Sequence, residues 1–255
     1  MRPLSTIDRR TLLKALSLAP GLVAVPRTVR AQAADAGLIS TDVCILQAEV
    51  TEGPFYVDPR LLRSDIAEDR RGMPMQLRLQ VVTADCAPVA DARVDVWHCD
   101  AEGVYSGVRN LGEGPDATGA TFLRGTQMTD IGGVATFQTI FPGWYRGRTV
   151  HVHYKVFLDD RNVLTGQIFF DEAVIAQIHQ DHPAYAARAA ARDMLNADDG
   201  IARQAGAAAL AHVRMTAPDG AMEAALVVGI RPDGPPGLLQ RIFGQAATET
   251  VASRV

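Results

Sequence analysis

Two histidines separated by a single residue, His151 and His153, are well spaced to bind a metal ion. Residues 148–157 around them are rich in β-branched and aromatic side chains, which predicts a strand. Successive side chains of a strand point to opposite faces, so the two imidazoles lie together on one face. The other face suits a core, because it carries Val150, Val152, Tyr154 and Val156. A polar pair on the protein surface is the alternative, and it is the commoner role of this motif.

Two tyrosines beside glycine-containing turns extend the candidate site. Tyr105 lies in the run Gly-Val-Tyr-Ser-Gly, and Tyr145 lies in Pro-Gly-Trp-Tyr-Arg-Gly. Glycine lets the backbone approach a site closely. If both side chains reach His151 and His153, the set contains two anionic phenolates and two imidazoles, which favours a trivalent ion. Iron(III) is therefore the predicted cofactor, and a zinc or copper site on the two histidines alone is the alternative.

Short alternating segments separated by tight polar turns predict a mainly β fold. Eight strands are expected, at residues 75–83, 92–99, 122–129, 134–141, 148–157, 163–170, 210–216 and 222–230. Two short helices are expected, at residues 171–180 and 183–195, and residues 42–73 show little periodicity. This pattern indicates an antiparallel β-sandwich or barrel with short helices and an irregular N-terminal segment, and we favour the sandwich.

The first 33 residues are predicted to be an export signal of twin-arginine type. Arg9 and Arg10 precede leucines and a lysine, an apolar run of 11 residues follows at 15–25, and small residues stand at 31–33. That run is shorter than the roughly 20 residues that span a bilayer, although a retained membrane anchor is the alternative. Residues 34–232 are expected to form the domain and residues 233–255 a tail, in the periplasm or secreted.

Charge and cysteine content limit the possible partners. The chain carries 25 basic and 29 acidic residues, and without residues 1–33 it would carry 19 and 28, a net charge of about −9. An acidic protein of this kind has no basic surface for nucleic acid. Export permits one disulfide among Cys44, Cys86 and Cys99, with all three pairings open, and three buried thiols are the alternative. A homo-oligomer is possible.

Six short runs occur in an order that resembles one enzyme family. They are Thr51-Glu-Gly-Pro-Phe-Tyr56, Val94-Asp-Val-Trp-His-Cys-Asp-Ala101, Gly103-Val-Tyr-Ser106, Pro142-Gly-Trp-Tyr145, residues 148–153 and Gly166-Gln-Ile-Phe-Phe170. In this order they resemble the intradiol ring-cleavage dioxygenases of the catechol and protocatechuate type. The predicted signal resembles that of an exported subgroup. The resemblance implies cleavage of a catecholic ring with O2 to a cis,cis-muconate type diacid.

The resemblance also implies roles for individual residues. It gives iron(III) four protein ligands: Tyr105, Tyr145, His151 and His153. By the same resemblance, Tyr145 and His153 are the axial pair. Arg148 matches an arginine that binds the substrate and supports its activated form, and Gln167 matches a glutamine near the oxygen site. Tyr56 is expected either to bind substrate or to pack against the sheet, and we favour substrate binding.

The sequence departs from the resemblance near Arg148. Only two residues separate Tyr145 from Arg148, where the catechol enzymes carry a longer loop, and Thr149-Val150 replaces the usual Pro-Ala. These changes affect a wall of the substrate pocket, so the particular catechol stays open. Strand alternation also places Arg148 opposite to His151, which predicts a bend or bulge near Thr149.

Other polar and aromatic residues are expected to have structural roles. Trp97 is expected in the core and His98 in a hydrogen-bonded structural position, and three histidines are expected on the surface: His179, His182 and His212. A β-sandwich that binds sugars or polyphenols without catalysis is the alternative function.

Overall fold

Two four-stranded sheets form the body of the protein. The structure is a computed structural model of the 255-residue chain and describes residues 46–58, 60–109, 115–216 and 221–233. The strands are β1 (Pro74–Thr83), β2 (Arg93–Trp97), β3 (Arg124–Met128), β4 (Val134–Ile140), β5 (His151–Leu158), β6 (Arg161–Phe169), β7 (His212–Thr216) and β8 (Ala221–Ile230). The first sheet has the order β4-β1-β8-β7 and the second has the order β3-β2-β5-β6. The predicted mainly β-sandwich is confirmed.

One strand pair departs from the antiparallel pattern. β1 and β8 run parallel, with Met75 opposite Met222 and Thr83 opposite Ile230, whereas every other pair of named strands is antiparallel. Parallel neighbours require a long connection. Here the connection between β1 and β8 contains every strand of the second sheet, and β8 then pairs with β1 in the first sheet.

Alternation along the strands separates the core from the site. Leu77 and Leu79 of β1 join Val152 and Tyr154 of β5 in one buried apolar cluster shared by both sheets. Because side chains alternate, the odd-numbered residues of β5 lie on the outer face of the second sheet. His151 and His153 therefore face away from the sandwich core.

The irregular N-terminal segment crosses that outer face. The Val50 amide donates to the Thr165 carbonyl of β6 at 3.0 Å, and further along the Arg63 amide donates to the Thr126 carbonyl of β3 at 3.1 Å. Between these points the segment passes His153, since an added Cβ at Gly53 would lie 3.4 Å from the Cε1 atom of that imidazole. The segment thus covers the histidines.

Among the described residues that follow the second sheet there are three α-helices, α1 (Glu172–Asp181), α2 (Pro183–Ala189) and α3 (Gly200–Ala205), with a 3-10 turn at Ala207–Ala209. The second helix was expected to reach residue 195 but ends at Ala189. Beyond this helix, the Arg192 guanidinium donates to the Glu172 carboxylate at 2.7 and 2.9 Å. The backbone amide of Asn196 donates to the same carboxylate at 2.7 Å. These tertiary contacts override the helix propensity of the alanine-rich sequence.

Two of the three cysteines lie in the described part of the chain. Cys86 is disulfide-bonded, and Cys99 is a buried free thiol, which excludes both the pairings through Cys99 and the alternative of three free thiols. Cys44, the predicted signal at 1–33 and residues 234–255 of the predicted tail lie outside the described residues. Within the described residues, no helix is long and apolar enough to cross a bilayer.

A close contact between β5 and β6 gives a test of this packing. Gly166 lies opposite Tyr154, and an added Cβ would overlap the tyrosine ring. Because the ring is fully buried, we expect Gly166→Ala to lower the free energy of unfolding by about 1–3 kcal/mol. Gly119→Ala is the control, since its added Cβ meets no atom within 4 Å, and it should change stability by less than about 0.5 kcal/mol. Equal midpoints in urea denaturation would contradict this packing.

Candidate metal centre

The register of the second sheet puts three functional side chains in one row. Trp97 of β2 lies opposite His153 of β5, which in turn lies opposite Gln167 of β6. Directly opposite residues in a sheet have side chains that touch. The Trp97 ring accordingly stacks on the His153 imidazole, with centroids 4.8 Å apart and planes 9° apart. Trp97 is buried, as expected, and it packs against a predicted metal ligand.

The two imidazoles present nitrogen atoms to the same point. The Nε2 atoms of His151 and His153 are 3.0 Å apart. His151 Nδ1 donates to the Thr149 carbonyl at 2.7 Å, which leaves a lone pair on its Nε2 atom. His153 Nδ1 is buried with no hydrogen-bond partner. Two lone pairs this close need a proton or a cation between them, so the pair fits a metal ion.

Tyr105 meets the histidines from the loop after β2. Its hydroxyl lies 3.4 Å from the Nε2 atom of His151. The Asp100 carboxylate shapes the preceding turn by accepting from the amides of Glu102 at 3.0 Å and Val104 at 2.9 Å. Phe55, from the N-terminal segment, stacks on the Tyr105 ring at 4.3 Å and 17°. The turn and the stacked ring together fix the direction of the phenol.

Tyr145 completes the group of four predicted ligands. Its ring centroid lies 5.6 Å from that of His151 and 5.7 Å from that of Tyr105. The two tyrosine loops pack backbone to backbone, because a Cβ at Gly103 would overlap the Trp144 carbonyl and a Cβ at Gly143 would overlap the Asp100 carbonyl. The close approach expected from the glycines is therefore observed, and it brings both phenols to the histidines.

A tight turn places Arg148 beside Tyr145. The Arg148 amide donates to the Tyr145 carbonyl at 3.1 Å, and Gly147 has a φ of +79°, which favours glycine. The chain bends at Val150 and β5 begins only at His151, so strand alternation does not govern Arg148. The predicted bend is confirmed. Arg148 Nη1 lies 3.4 Å from the Tyr145 hydroxyl.

Gln167 connects the arginine to the N-terminal segment. Its Oε1 atom accepts from Arg148 Nη2 at 2.6 Å, and its Nε2 atom donates to the Thr51 carbonyl at 2.9 Å. The second contact fixes which end of the amide faces the arginine. The two residues expected to act on the substrate therefore touch each other.

Asp199 is a site residue that the sequence reasoning missed. Its Oδ2 atom accepts from Arg148 Nε at 2.7 Å and from the Thr149 amide at 3.0 Å. Burial raises the pKa of this carboxyl, but the hydrogen bonds from Arg148 and Thr149 outweigh it, so the pKa lies below its usual value. Residues 196–200 read Asn-Ala-Asp-Asp-Gly, which from the sequence alone ends the preceding helical segment and suggests no role in the site. An Asp is also a usual N-cap, so this run could have predicted the start of α3 but not the contact with Arg148.

Tyr56 lies beside the cluster on the same outer face. Its hydroxyl donates to the buried Asp95 carboxylate at 3.0 Å, and its ring lies 4.8 Å from that of Trp97. The Lys155 ammonium sits 3.9 Å from the centre of the Tyr56 ring. Of the two roles expected for Tyr56, these contacts fit packing against the sheet, and the substrate role stays a prediction.

Burial sets the protonation of the four predicted ligands. It lowers the pKa of His151 to about 3, helped by the Arg148 cation, and it lowers the pKa of His153 well below the usual value. Both imidazoles are therefore neutral, as metal ligands must be. Burial also raises the pKa of the Tyr105 and Tyr145 hydroxyls. A cation bound by both oxygens would release their two protons.

The two-sheet sandwich is a fold shared with solved ring-cleavage dioxygenases, and the sequence matches the same class of protein. The Dioxygenase family model (Dioxygenase_C) matches residues 51–215. An intradiol ring-cleavage dioxygenase from Tetranychus urticae superposes with a TM-score of 0.68 and 35% identity, covering 76% of this chain and 98% of that one. The chain belongs to the intradiol ring-cleavage dioxygenase family.

Curated relatives match over a shorter range. A chlorocatechol 1,2-dioxygenase from a Pseudomonas species is 31% identical over 141 residues, 47% of this chain and 54% of that protein. A catechol 1,2-dioxygenase from Acinetobacter baylyi is 29% identical over 140 residues, 46% of this chain and 44% of that protein. The chain thus spans about half the length of these relatives. The family resemblance found in the sequence is confirmed.

For two histidines outside the site, the role expected from the sequence is confirmed in one case and wrong in the other. His98 is hydrogen-bonded at both ring nitrogens, to the Cys99 carbonyl at 2.8 Å and the Thr139 hydroxyl at 2.7 Å, so its structural role is confirmed. The expected surface position of His179 is wrong, because its side chain is buried and its ring stacks on Tyr185 at 5.3 Å. It lies one helical turn from Ile175, on the apolar face of α1.

The buried His98 predicts acid sensitivity. Burial lowers its pKa to about 4, below the roughly 6.5 of an unfolded histidine. Between these values only the unfolded chain takes the proton, so His98 should contribute a loss in the free energy of unfolding of up to about 1.4 kcal/mol for each unit by which the pH falls. Other buried histidines, such as His151, add to the total slope. Urea denaturation from pH 7 down to 4.5 measures this slope. The slope should flatten in His98→Gln and not in the exposed control His212→Gln, and equal slopes in all three proteins would contradict the assignment.

Proposed function

We propose that this protein is a non-haem iron(III) dioxygenase that cleaves a catecholic ring between its two hydroxyl-bearing carbons. It would consume one O2 per catechol, and both oxygen atoms would enter a cis,cis-muconate type diacid. One observation carries the proposal: the rings of Tyr105, Tyr145, His151 and His153 converge beside Arg148. The relatives named as catechol and chlorocatechol 1,2-dioxygenases support the reaction class.

The donor set suits iron(III). Two phenolate oxygens and two neutral imidazole nitrogens offer hard anionic ligands together with nitrogen donors, and hard anionic oxygens favour a small, highly charged trivalent ion over a divalent one. When bound there, iron(III) would withdraw electron density from a chelated catechol and so make the ring reactive towards O2. We propose His151, His153, Tyr105 and Tyr145 as its protein ligands.

The remaining residues would bind and orient the substrate. Arg148 places a cation next to the Tyr145 hydroxyl, where it would stabilise the negative charge of a deprotonated catechol. Gln167 holds the arginine from the other side through its Oε1 atom. Phe55 and Trp97 pack against the Tyr105 and His153 rings and would keep water from the reacting centre.

A cavity along Tyr145 offers a route for the substrate. It has a volume of about 570 Å³ and is lined by Phe55, Val104, Tyr145, Arg146 and Ala184, among others. This volume exceeds that of a single aromatic ring, so the cavity could admit catechols that carry substituents. Catechol, chlorocatechol and hydroxyquinol are therefore the first substrates to compare, because each is named for a relative.

The first experiment combines metal analysis, oxygen uptake and product analysis. We expect one iron per chain, a red-brown colour from phenolate-to-iron(III) charge transfer, and a diacid that contains both atoms of labelled O2. A colourless, iron-free protein that still binds catechols would instead support the non-catalytic binding alternative. Oxygen uptake without a ring-opened product would indicate simple oxidation and contradict the proposal.

The tyrosine ligands can be tested by removing single oxygen atoms. Tyr105→Phe and Tyr145→Phe should each change the charge-transfer band and lower kcat by at least about 100-fold, because each loses an anionic donor. Tyr154→Phe is the matched control, since Tyr154 lies on the core face of the same sheet. It should retain the colour and the iron content. Unchanged metal content and colour in Tyr105→Phe would favour the zinc or copper alternative on the two histidines.

We also propose that the protein is exported by the twin-arginine route to the periplasm or the medium. The support is the sequence Asp8-Arg9-Arg10-Thr11-Leu12-Leu13-Lys14 followed by the apolar run at 15–25. Replacing Arg9 and Arg10 with lysines should leave the full-length protein in the bacterial cytoplasm, as measured by cell fractionation. Equal export of this variant and the original chain would contradict the proposal.

A further inference from the structure

We propose that Asp199 is a positioning residue that fixes the Arg148 guanidinium in the orientation the reaction needs. This inference rests on the proposed function, and it adds a residue from outside the sheet to the site. Asp199 lies 51 positions after Arg148, at the start of α3, and no sequence motif connects the two.

The carboxylate of Asp199 is held so that it cannot turn away from the arginine. Its Oδ2 atom accepts from Arg148 Nε at 2.7 Å and from the Thr149 amide at 3.0 Å. Its Oδ1 atom accepts from the amides of Ile201 at 2.8 Å and Ala202 at 3.2 Å. Each oxygen therefore has two donors, which fills the usual acceptor capacity of a carboxylate.

The segment before Asp199 is also anchored. Asn196 donates through Nδ2 to the Phe170 carbonyl at 2.7 Å, and its Oδ1 atom accepts from the Thr149 hydroxyl at 2.7 Å. Arg192 donates to the same hydroxyl at 3.0 Å. The loop between α2 and α3 is thus tied to the residues that flank Arg148, so Asp199 approaches the arginine from a fixed point.

Asp199 binds the Nε atom of the guanidinium, which the other two partners do not contact. Gln167 binds Nη2 at 2.6 Å, and the Tyr145 hydroxyl lies 3.4 Å from Nη1. Of these three contacts, only the one at Nε brings a negative charge to the guanidinium. The Asp199 side chain that carries this charge is 1% exposed, and the Arg148 side chain is 13% exposed. A mostly buried cation that loses its anionic partner is left as an uncompensated charge, which is strongly unfavourable unless the cation gains contact with water. Without Asp199, the guanidinium would leave its position between Tyr145 and Gln167.

The test separates the arginine contact from the helix cap. In Asp199→Ser the hydroxyl still caps α3 but is too short to reach Arg148 Nε. The matched control is Asp171→Ser at the N-cap of α1, where the carboxylate accepts from the Ala173 amide at 2.8 Å and does not contact Arg148. Asp199→Ser should lose more thermal stability than Asp171→Ser, because Asp199 is buried with four donors whereas Asp171 is exposed with one. The kinetics of both variants are therefore compared at a temperature at which both are folded.

We expect kcat for catechol cleavage to fall by about 100-fold in Asp199→Ser, with KM changed less than kcat, and to stay within about twofold in Asp171→Ser. In an Arg148→Gln background the further loss caused by Asp199→Ser should be below about threefold, because the residue acts through Arg148. A crystal structure of Asp199→Ser should show Arg148 Nη2 more than about 1 Å further from Gln167 Oε1.

Several outcomes would overturn the inference. They are an unchanged kcat in Asp199→Ser, an equal fold loss in the Arg148→Gln background, or an Arg148 side chain that stays in place in the crystal. If Asp199→Ser does not fold, Asp199→Asn keeps the side-chain volume without the charge and should lower kcat by at least about tenfold. If the unmodified protein cleaves no catechol, the proposed function fails. The positioning role of Asp199 is then tested by the distance from Arg148 Nη2 to Gln167 Oε1 in the crystal structure of Asp199→Ser alone.

Discussion

The alternation of side chains along β5 is the constraint on which the rest of the site depends. The even-numbered residues of this strand are buried between the two sheets, so the odd-numbered ones have to face outward. A shift of the register by one residue would bury both histidines in the apolar core and expose the valines. The same packing that stabilises the sandwich therefore holds His151 and His153 side by side.

An outward-facing site needs cover, and the irregular N-terminal segment provides it. In its described part, residues 46–58 and 60–73, this segment forms no regular strand, and it bonds to the edges of the second sheet and to the Gln167 side-chain amide. Phe55 brings an aromatic ring against Tyr105, and the Asp95 carboxylate holds the hydroxyl of Tyr56. The face that carries the four proposed metal ligands is consequently shielded by side chains from a part of the chain that precedes every strand of the sandwich.

Much of this arrangement could be predicted from the sequence because it follows local rules. Period-two alternation predicted the strands and the common face of the histidines, and the glycines predicted the close approach of the Tyr105 and Tyr145 loops. Asp199 could not be predicted as a partner of Arg148, since the contact depends on where a short helix docks. His179 was misjudged for a related reason: a polar residue on a mainly apolar helix face is buried by its neighbours.

The parallel pairing of β1 with β8 has a consequence for the order in which the protein forms. β8 lies between β1 and β7, so the first sheet lacks an inner strand until the chain has been made as far as residue 230. Contacts between residues so distant in sequence form slowly, because the intervening chain must first be ordered. The sandwich therefore closes only after β8 has been made, and a nascent chain that has already made both histidines still has an open hydrophobic sheet.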